Sequence, residues 1–195
     1  MSDTHKPSRR DFLKGTTAAA GSAALLGGLS LARTAHAQGS DVIRVVLSGA
    51  GGRGTGAVAQ LMNADKNLKL VAVADAFQSR VDACRNSLTK KYGDQVDLPD
   101  DRMFVGLNAY KDAIAVDADL VVLGTPPGFR PPQFKAAIDA GRHVFMEKPC
   151  CVDAPGYKSL LESAKSADEQ NLLVGVGLQR RHEPKYKEMI AQVHD

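Results

Sequence analysis

The sequence predicts a doubly wound α/β domain, a parallel sheet with helices on both faces. Three observations carry that expectation. Short apolar, β-branched runs alternate with helix-like segments from Val42 to Val176, and the first run leads straight into Gly49-Ala50-Gly51-Gly52-Arg53-Gly54. The second run ends on an acid, Asp75, which lies 21 residues beyond the last of those glycines.

Taken in order, Val42 to Leu47 reads Val-Ile-Arg-Val-Val-Leu, apolar enough for a central strand covered on both sides. Arg53 to Met62 has helical content and leads to a second buried strand, Leu68 to Ala74, which completes a βαβ unit. Arg80 to Tyr92 is expected to be helical. Beyond the polar turn Asp97-Leu98-Pro99-Asp100 come a short strand, Met103 to Val105, and a short helix, Asn108 to Val116. Leu120 to Leu123 is the fourth strand. Pro131 to Ala140 is a helix with proline in its first turn, where the missing N–H has no partner to lose. His143 to Met146 is the fifth strand. The longest helix spans Ala154 to Asn171, with Asp153 placed to cap it and Tyr157, Leu160, Leu161, Ala164 and Ala167 recurring at spacings of three and four. Leu172 to Val176 is the last strand, and Gln179 to Pro184 breaks the apolar pattern and leads outward.

At 195 residues, 44% hydrophobic and 24% charged, the chain has room for one full domain and extra segments, not for two large domains. The net charge of +3 sits at the N-terminus: without the five basic and two acidic residues of positions 1–37, twenty of each remain. A neutral body gives a nucleic-acid partner no electrostatic support. Cys84, Cys150 and Cys151 are too few and too badly spaced for a disulfide framework or a zinc site, and adjacent Cys150 and Cys151 read as small apolar residues.

The first forty residues read as an address. Ser8-Arg9-Arg10-Asp11-Phe12-Leu13-Lys14 precedes an Ala/Gly-rich, mildly apolar stretch to Leu31, and Ala35-His36-Ala37 is a small-x-small cleavage pattern. That stretch is short and poor in large side chains beside the ~20 apolar residues of a bilayer span, so a removed signal is expected and a stable membrane anchor is not. The arginine pair with Phe and Leu behind it resembles the twin-arginine export signal. The resemblance implies the twin-arginine translocase as a partner, a periplasmic or otherwise exported protein, and carriage in the folded state. The expected division is a signal peptide at 1–37, a dinucleotide-binding domain at 38–178, and the start of a linker or second domain at 179–195.

Gly49, Gly51 and Gly54 fit the G-x-G-x-x-G pattern: the first permits a tight turn, the second lets main chain approach a pyrophosphate, the third allows close helix–strand packing. Gly52 and Arg53 complete the loop, whose amides at the helix start face the phosphates. Glycines also make ordinary turns, but here they follow a strand, open a helix, and have Asp75 at the distance where its carboxylate can bond a ribose. That acid repels a 2′-phosphate and favours NAD, with NADP as the alternative if Arg80, otherwise a solvated helix residue, reaches such a group. Thr125-Pro126 follows the fourth strand, either lining the nicotinamide end or making a rigid turn. Glu147-Lys148-Pro149 ends the fifth strand in the same crevice. A lysine there can bond a substrate hydroxyl or relay a proton; on pattern alone a surface lysine paired with Glu147 fits as well.

The glycine loop, Asp75, Thr125-Pro126 and the block Asp139-Ala140-Gly141-Arg142-His143-Val144-Phe145-Met146-Glu147-Lys148-Pro149 together resemble the glucose-fructose oxidoreductase, inositol dehydrogenase and rhizopine-catabolism family, Gfo/Idh/MocA. The likeness covers about Val42 to Pro184. It implies a Rossmann domain followed by a second α/β domain outside these residues, and NAD(P)-dependent oxidation or reduction of sugars and cyclitols. It also implies a catalytic role for Lys148 against nicotinamide and substrate, and homo-oligomers of the full-length protein through the second domain's open sheet. Gln179, Arg181 and His182 are where the family's chain leaves the first domain, which makes Arg181 and His182 candidate substrate neighbours. The likeness implies, too, an aspartate and a histidine near the substrate, on a D-x-x-x-H motif with a glycine-rich lead-in expected in the second domain beyond Asp195, and Cys150-Cys151 stands where aliphatic or small residues are more usual. The expected function is exported hydride transfer to or from a sugar or polyol carbinol carbon. The alternatives are an NAD-dependent glycoside hydrolase of the same family or a non-catalytic nucleotide-binding fragment.

Overall fold

A computed structural model describes residues 42–194; the export signal, its cleavage site and Asp195 lie outside the described residues. Six strands form one sheet: β1 (Ile43–Ser48), β2 (Leu68–Asp75), β3 (Met103–Val105), β4 (Leu120–Leu123), β5 (His143–Met146) and β6 (Val174–Val176). Their order across the sheet is β3-β2-β1-β4-β5-β6 and every neighbouring pair is parallel. Parallel neighbours need crossovers, and helices supply them. They are α1 (Gly52–Ala64), α2 (Gln78–Tyr92), α3 (Ala109–Ala115), α4 (Arg130–Asp139) and α5 (Ala154–Glu169).

The strands are apolar on both sides because both sides are covered. Val45, Leu47, Leu70 and Val73 pack with Ala57, Val58 and Met62 of α1 and Val81, Cys84 and Leu88 of α2. On the other face, Val46, Ala72, Val121 and Val144 pack with Ile114 of α3, Phe134 and Ile138 of α4, and Leu160 of α5. Each Val, Leu, Ile, Met or Phe among them, fully withdrawn from water, contributes about 1.5–3 kcal/mol. The helix that follows β1 therefore lies on one face and the helix that follows β4 on the other. Between the carboxyl ends of these adjacent strands a crevice opens, the place where such sheets bind ligands.

Asp153 caps α5 as expected, its carboxylate accepting from the Gly156 N–H at 2.7 Å. The helix ends earlier than its apolar spacing suggests, at Glu169, and the chain turns through Asn171 in the left-handed region at φ 55°. Of the five residues at helical spacing, Leu160, Ala164 and Ala167 join the core, whereas Tyr157 and Leu161 are more than half exposed. β6 is shorter than expected because Leu172 donates back to the Ala167 carbonyl and Leu173 donates to His143 Nδ1, outside the regular ladder. Where the sequence reads only as a departing segment, the chain forms two further helices, α6 (Gln179–His182) and α7 (Pro184–His194). Among the described residues no helix is long and apolar enough to cross a membrane.

Candidate functional site

The chain leaves β1 through Gly49, whose φ of +95° is open to glycine and strained for other residues. A Cβ there would stand 2.4 Å from the Thr125 nitrogen, one on Gly54 would stand 1.9 Å from the Gly49 carbonyl oxygen, and one on Gly124 would stand 2.6 Å from Gly54 Cα. Three glycines from two loops thus stack main chain on main chain and close the head of α1 against β1 and β4. The outward side of the loop differs. A Cβ on Gly51 would meet only Arg80 Nη1, at 3.2 Å, and one on Gly52 would meet nothing within 4 Å. Open space above the first N–H groups of a 13-residue helix is a cradle for a phosphate.

Asp75 ends β2 beside this loop. Its Oδ2 accepts from the Ala50 N–H at 2.8 Å and its Oδ1 from the Phe77 N–H at 3.1 Å, so each oxygen retains a lone pair for a diol. Phe77 and Leu107, exposed by 64% and 70%, offer apolar surface on either side of it.

Lys148 stands at the other end, just past β5. It is exposed and makes no ion pair or side-chain hydrogen bond among the described residues, and the Lys148–Pro149 peptide is cis. Glu147 before it is 3% exposed. Its carboxylate pairs with Arg53, Nη2 to Oε1 at 2.6 Å, and not with Lys148. The contact is not aligned as a hydrogen bond, so buried Oε1 keeps its acceptor capacity. Gly177 lies directly behind: a Cβ there would come within 2.8 Å of Glu147 Oε2. Thr125 and Ser48 hydroxyls both donate to Gln133 Oε1, at 2.7 and 3.2 Å.

One cavity of about 810 Å³ joins these ends, within the range of cofactor sites. Its wall takes in Gly49, Gly51 and Arg53, then Asp75 and Arg80, then Thr125 and Pro126, and finally Glu147 and Lys148. Gly54 is buried behind that wall, and Gly52 is exposed outside it. Gln179 belongs to it, whereas Arg181 and His182 are exposed outside it. The cavity also draws in residues that sequence reasoning missed, chiefly Phe77, Leu107, Arg130 and Gln133. Arg130 and Gln133, three apart at the start of a helix that leaves the crevice, were legible in principle as one inward face. Cys150 and Cys151 are free and pack against the core; burial pushes the Cys150 thiol above its ordinary value, with Arg130 opposing. An open cradle at Gly51, an acid with free lone pairs at β2 and an unpaired lysine at β5 fit a dinucleotide laid along the carboxyl edge of the sheet.

Comparison with known proteins agrees with that geometry. Residues 6–27 match the twin-arginine translocation pathway signal sequence, so the chain carries an export signal for that pathway. An inositol 2-dehydrogenase of Saccharopolyspora erythraea is 31% identical over 78% of this chain, and a glycosyl hydrolase family 109 protein of Shewanella amazonensis is 30% identical over 80%. The chain spans 41% and 36% of the length of these two relatives. Among solved structures, scyllo-inositol dehydrogenase from Lactobacillus casei, with bound NAD(H) and scyllo-inositol, superposes with a TM-score of 0.60 at 23% identity, covering 78% of this chain and 41% of that one. That likeness bears on the fold. Residues 43–177, the whole of the sheet and its crossovers, match the oxidoreductase family with the NAD-binding Rossmann fold known as Gfo/Idh/MocA, and to that family this chain belongs.

Proposed function

We propose that the full-length protein is an exported, NAD-dependent oxidoreductase that exchanges hydride with a carbinol carbon of a sugar or polyol. The observation that carries this reading is the placement of an unpaired Lys148 at one end of a single cavity whose other end is Asp75. NAD bound there would supply a hydride acceptor at its nicotinamide ring. The N–H groups that open α1 hold its phosphates with help from Arg53, where Gly49 and Gly54 shape the turn and Gly51 and Gly52 leave it open. Asp75 bonds the adenosine ribose and disfavours a 2′-phosphate, Arg80 lies over the loop, and Thr125 and Pro126 line the nicotinamide half. Glu147 sits under that half, and Lys148 Nζ bonds the substrate hydroxyl and takes part in moving its proton. Gln179, with Arg181 and His182 beyond it, borders the substrate, and the relatives' further length is the expected source of the remaining substrate contacts. In this reading the signal occupies 1–37, the nucleotide-binding domain 38–178, and residues 179–195 begin a linker or second domain.

Incubating the purified full-length protein with NAD and a panel of sugars and inositols, and following NADH absorbance, tests the proposal. Net NADH with at least one polyol is expected, and none across the panel would sink it. The family 109 relative favours a second reading, glycoside cleavage through transient oxidation, which releases free sugar without net NADH.

A further inference from the structure

We propose that Arg130 is the positioning residue for Lys148, a largely buried guanidinium clamp at the cavity wall that fixes the main chain on both sides of the lysine. This rests on the dinucleotide reading of the cavity. Arg130 opens α4 after the tight turn Pro127–Phe129 and is 5% exposed. Its Nη1 donates to two main-chain carbonyls, those of Glu147 and Pro149. These flank Lys148, so one planar, rigid donor group holds the residues before and after the lysine in a fixed relation and leaves only the lysine side chain free. The clamp continues on the Glu147 side chain, which has Arg53 in front and the Gly177 main chain behind, with no room to swing.

Stability alone does not account for this arginine. Burial pushes its guanidinium pKa below the ordinary value, with Glu147 the largest opposing influence, and its buried Nε has no hydrogen-bond partner among the described residues. Replacing a buried cation that keeps an unpaired N–H by an apolar side chain of similar volume is often neutral or stabilising. What an apolar residue cannot do is donate to both carbonyls, and a lysine donates only from a flexible ammonium that lacks the fixed plane of a guanidinium. The geometry therefore assigns Arg130 to the orientation of Lys148 and leaves the glycine loop and Asp75 to hold the nucleotide.

The test uses the full-length protein, NADH as the probe, and brief acetylation of lysines with acetic anhydride, read at Lys148 by peptide mass spectrometry. NADH at ten times its Kd leaves about one molecule in eleven free, so wild-type Lys148 is expected to label about tenfold more slowly with NADH than without. In Arg130→Met, with NADH set at ten times that variant's own Kd so that occupancy is matched, protection of Lys148 is expected to fall below about twofold. Arg130→Lys is expected to fall between. In Arg130→Ala, millimolar guanidinium chloride is expected to restore protection and equimolar sodium chloride is not, a response that loss of general packing would not give. Full protection in Arg130→Met overturns the inference, as does an Arg130→Ala protein whose lost protection guanidinium fails to restore. Wild-type protein that binds NADH without protecting Lys148 overturns it too, whereas wild-type protein that does not bind NADH removes the dinucleotide reading and this inference together.

Discussion

The two ends of the cavity are built from different materials. At the glycine-loop end the shape is made mainly by main chain: Gly49, Gly54 and Gly124 stack without side chains, and outward of Gly51 and Gly52 the space is open except for Arg80. At the Lys148 end the shape is made by charged side chains drawn from distant parts of the chain, Arg53 from α1, Glu147 from just past β5 and Arg130 from α4. A main-chain surface is held by every hydrogen bond of its strand and helix, whereas a side-chain surface depends on a few contacts of one charge with another. The first end should therefore fail through loss of fold and the second through loss of chemistry.

The largest expected effect lies at the second end. Lys148→Met should lower hydride transfer by about 10²–10⁴-fold while NADH affinity stays within about twofold, measured by single-turnover kinetics and fluorescence titration. A loss of NADH affinity equal to the loss of rate would break the comparison. At the first end, Gly54→Ala drives a methyl against the Gly49 carbonyl and should reduce stability by about 3 kcal/mol, seen as a lower urea midpoint. Asp75→Asn joins both kinds of failure, since the carboxylate serves loop and ligand alike. NADH affinity should fall about tenfold, and less so for NADPH.

Smaller effects sharpen the contrast. Burial raises the Cys84 thiol above its ordinary value near 9.0, against a weaker opposing bond from Thr55 of α1. Because the unfolded thiol ionises first, stability is retained below about pH 9 and falls as pH rises beyond it. The urea midpoint of wild type should therefore drop more between pH 8 and pH 10 than that of Cys84→Ala. The smallest effect belongs to Gly52→Ala, where nothing lies within 4 Å: unfolding should shift by less than about 1 kcal/mol, toward stability.

The same contrast explains what could be read in advance. β3, β4 and β5 were legible to the residue because each is a short apolar run bounded by polar turns, and Asp75 because its distance from Gly54 is set by one βαβ unit. The role of Gly54 in close packing was legible, but not its partner Gly124, which the sheet brings over from seventy positions away. The pairing of Glu147 with Arg53 instead of Lys148, and the burial of Arg130, depend on how three loops converge, and no local pattern encodes that. Tyr157 and Leu161 show the converse limit, since helical spacing says which residues share a side but not how much of that side is covered.

Gln133 ties the two halves of the sheet together beside the crevice. Ser48 ends one half of the sheet and Thr125 follows the first strand of the other, and both hydroxyls converge on the same carbonyl oxygen of this one amide. The helices after those strands diverge to opposite faces, and this shared acceptor adds a side-chain latch beside the main-chain bond from the Gly124 N–H to the Ser48 carbonyl. Removing the amide at 133 would therefore strand two hydroxyls at once, one of them on the almost wholly buried Ser48, while the strand ladder kept its spacing.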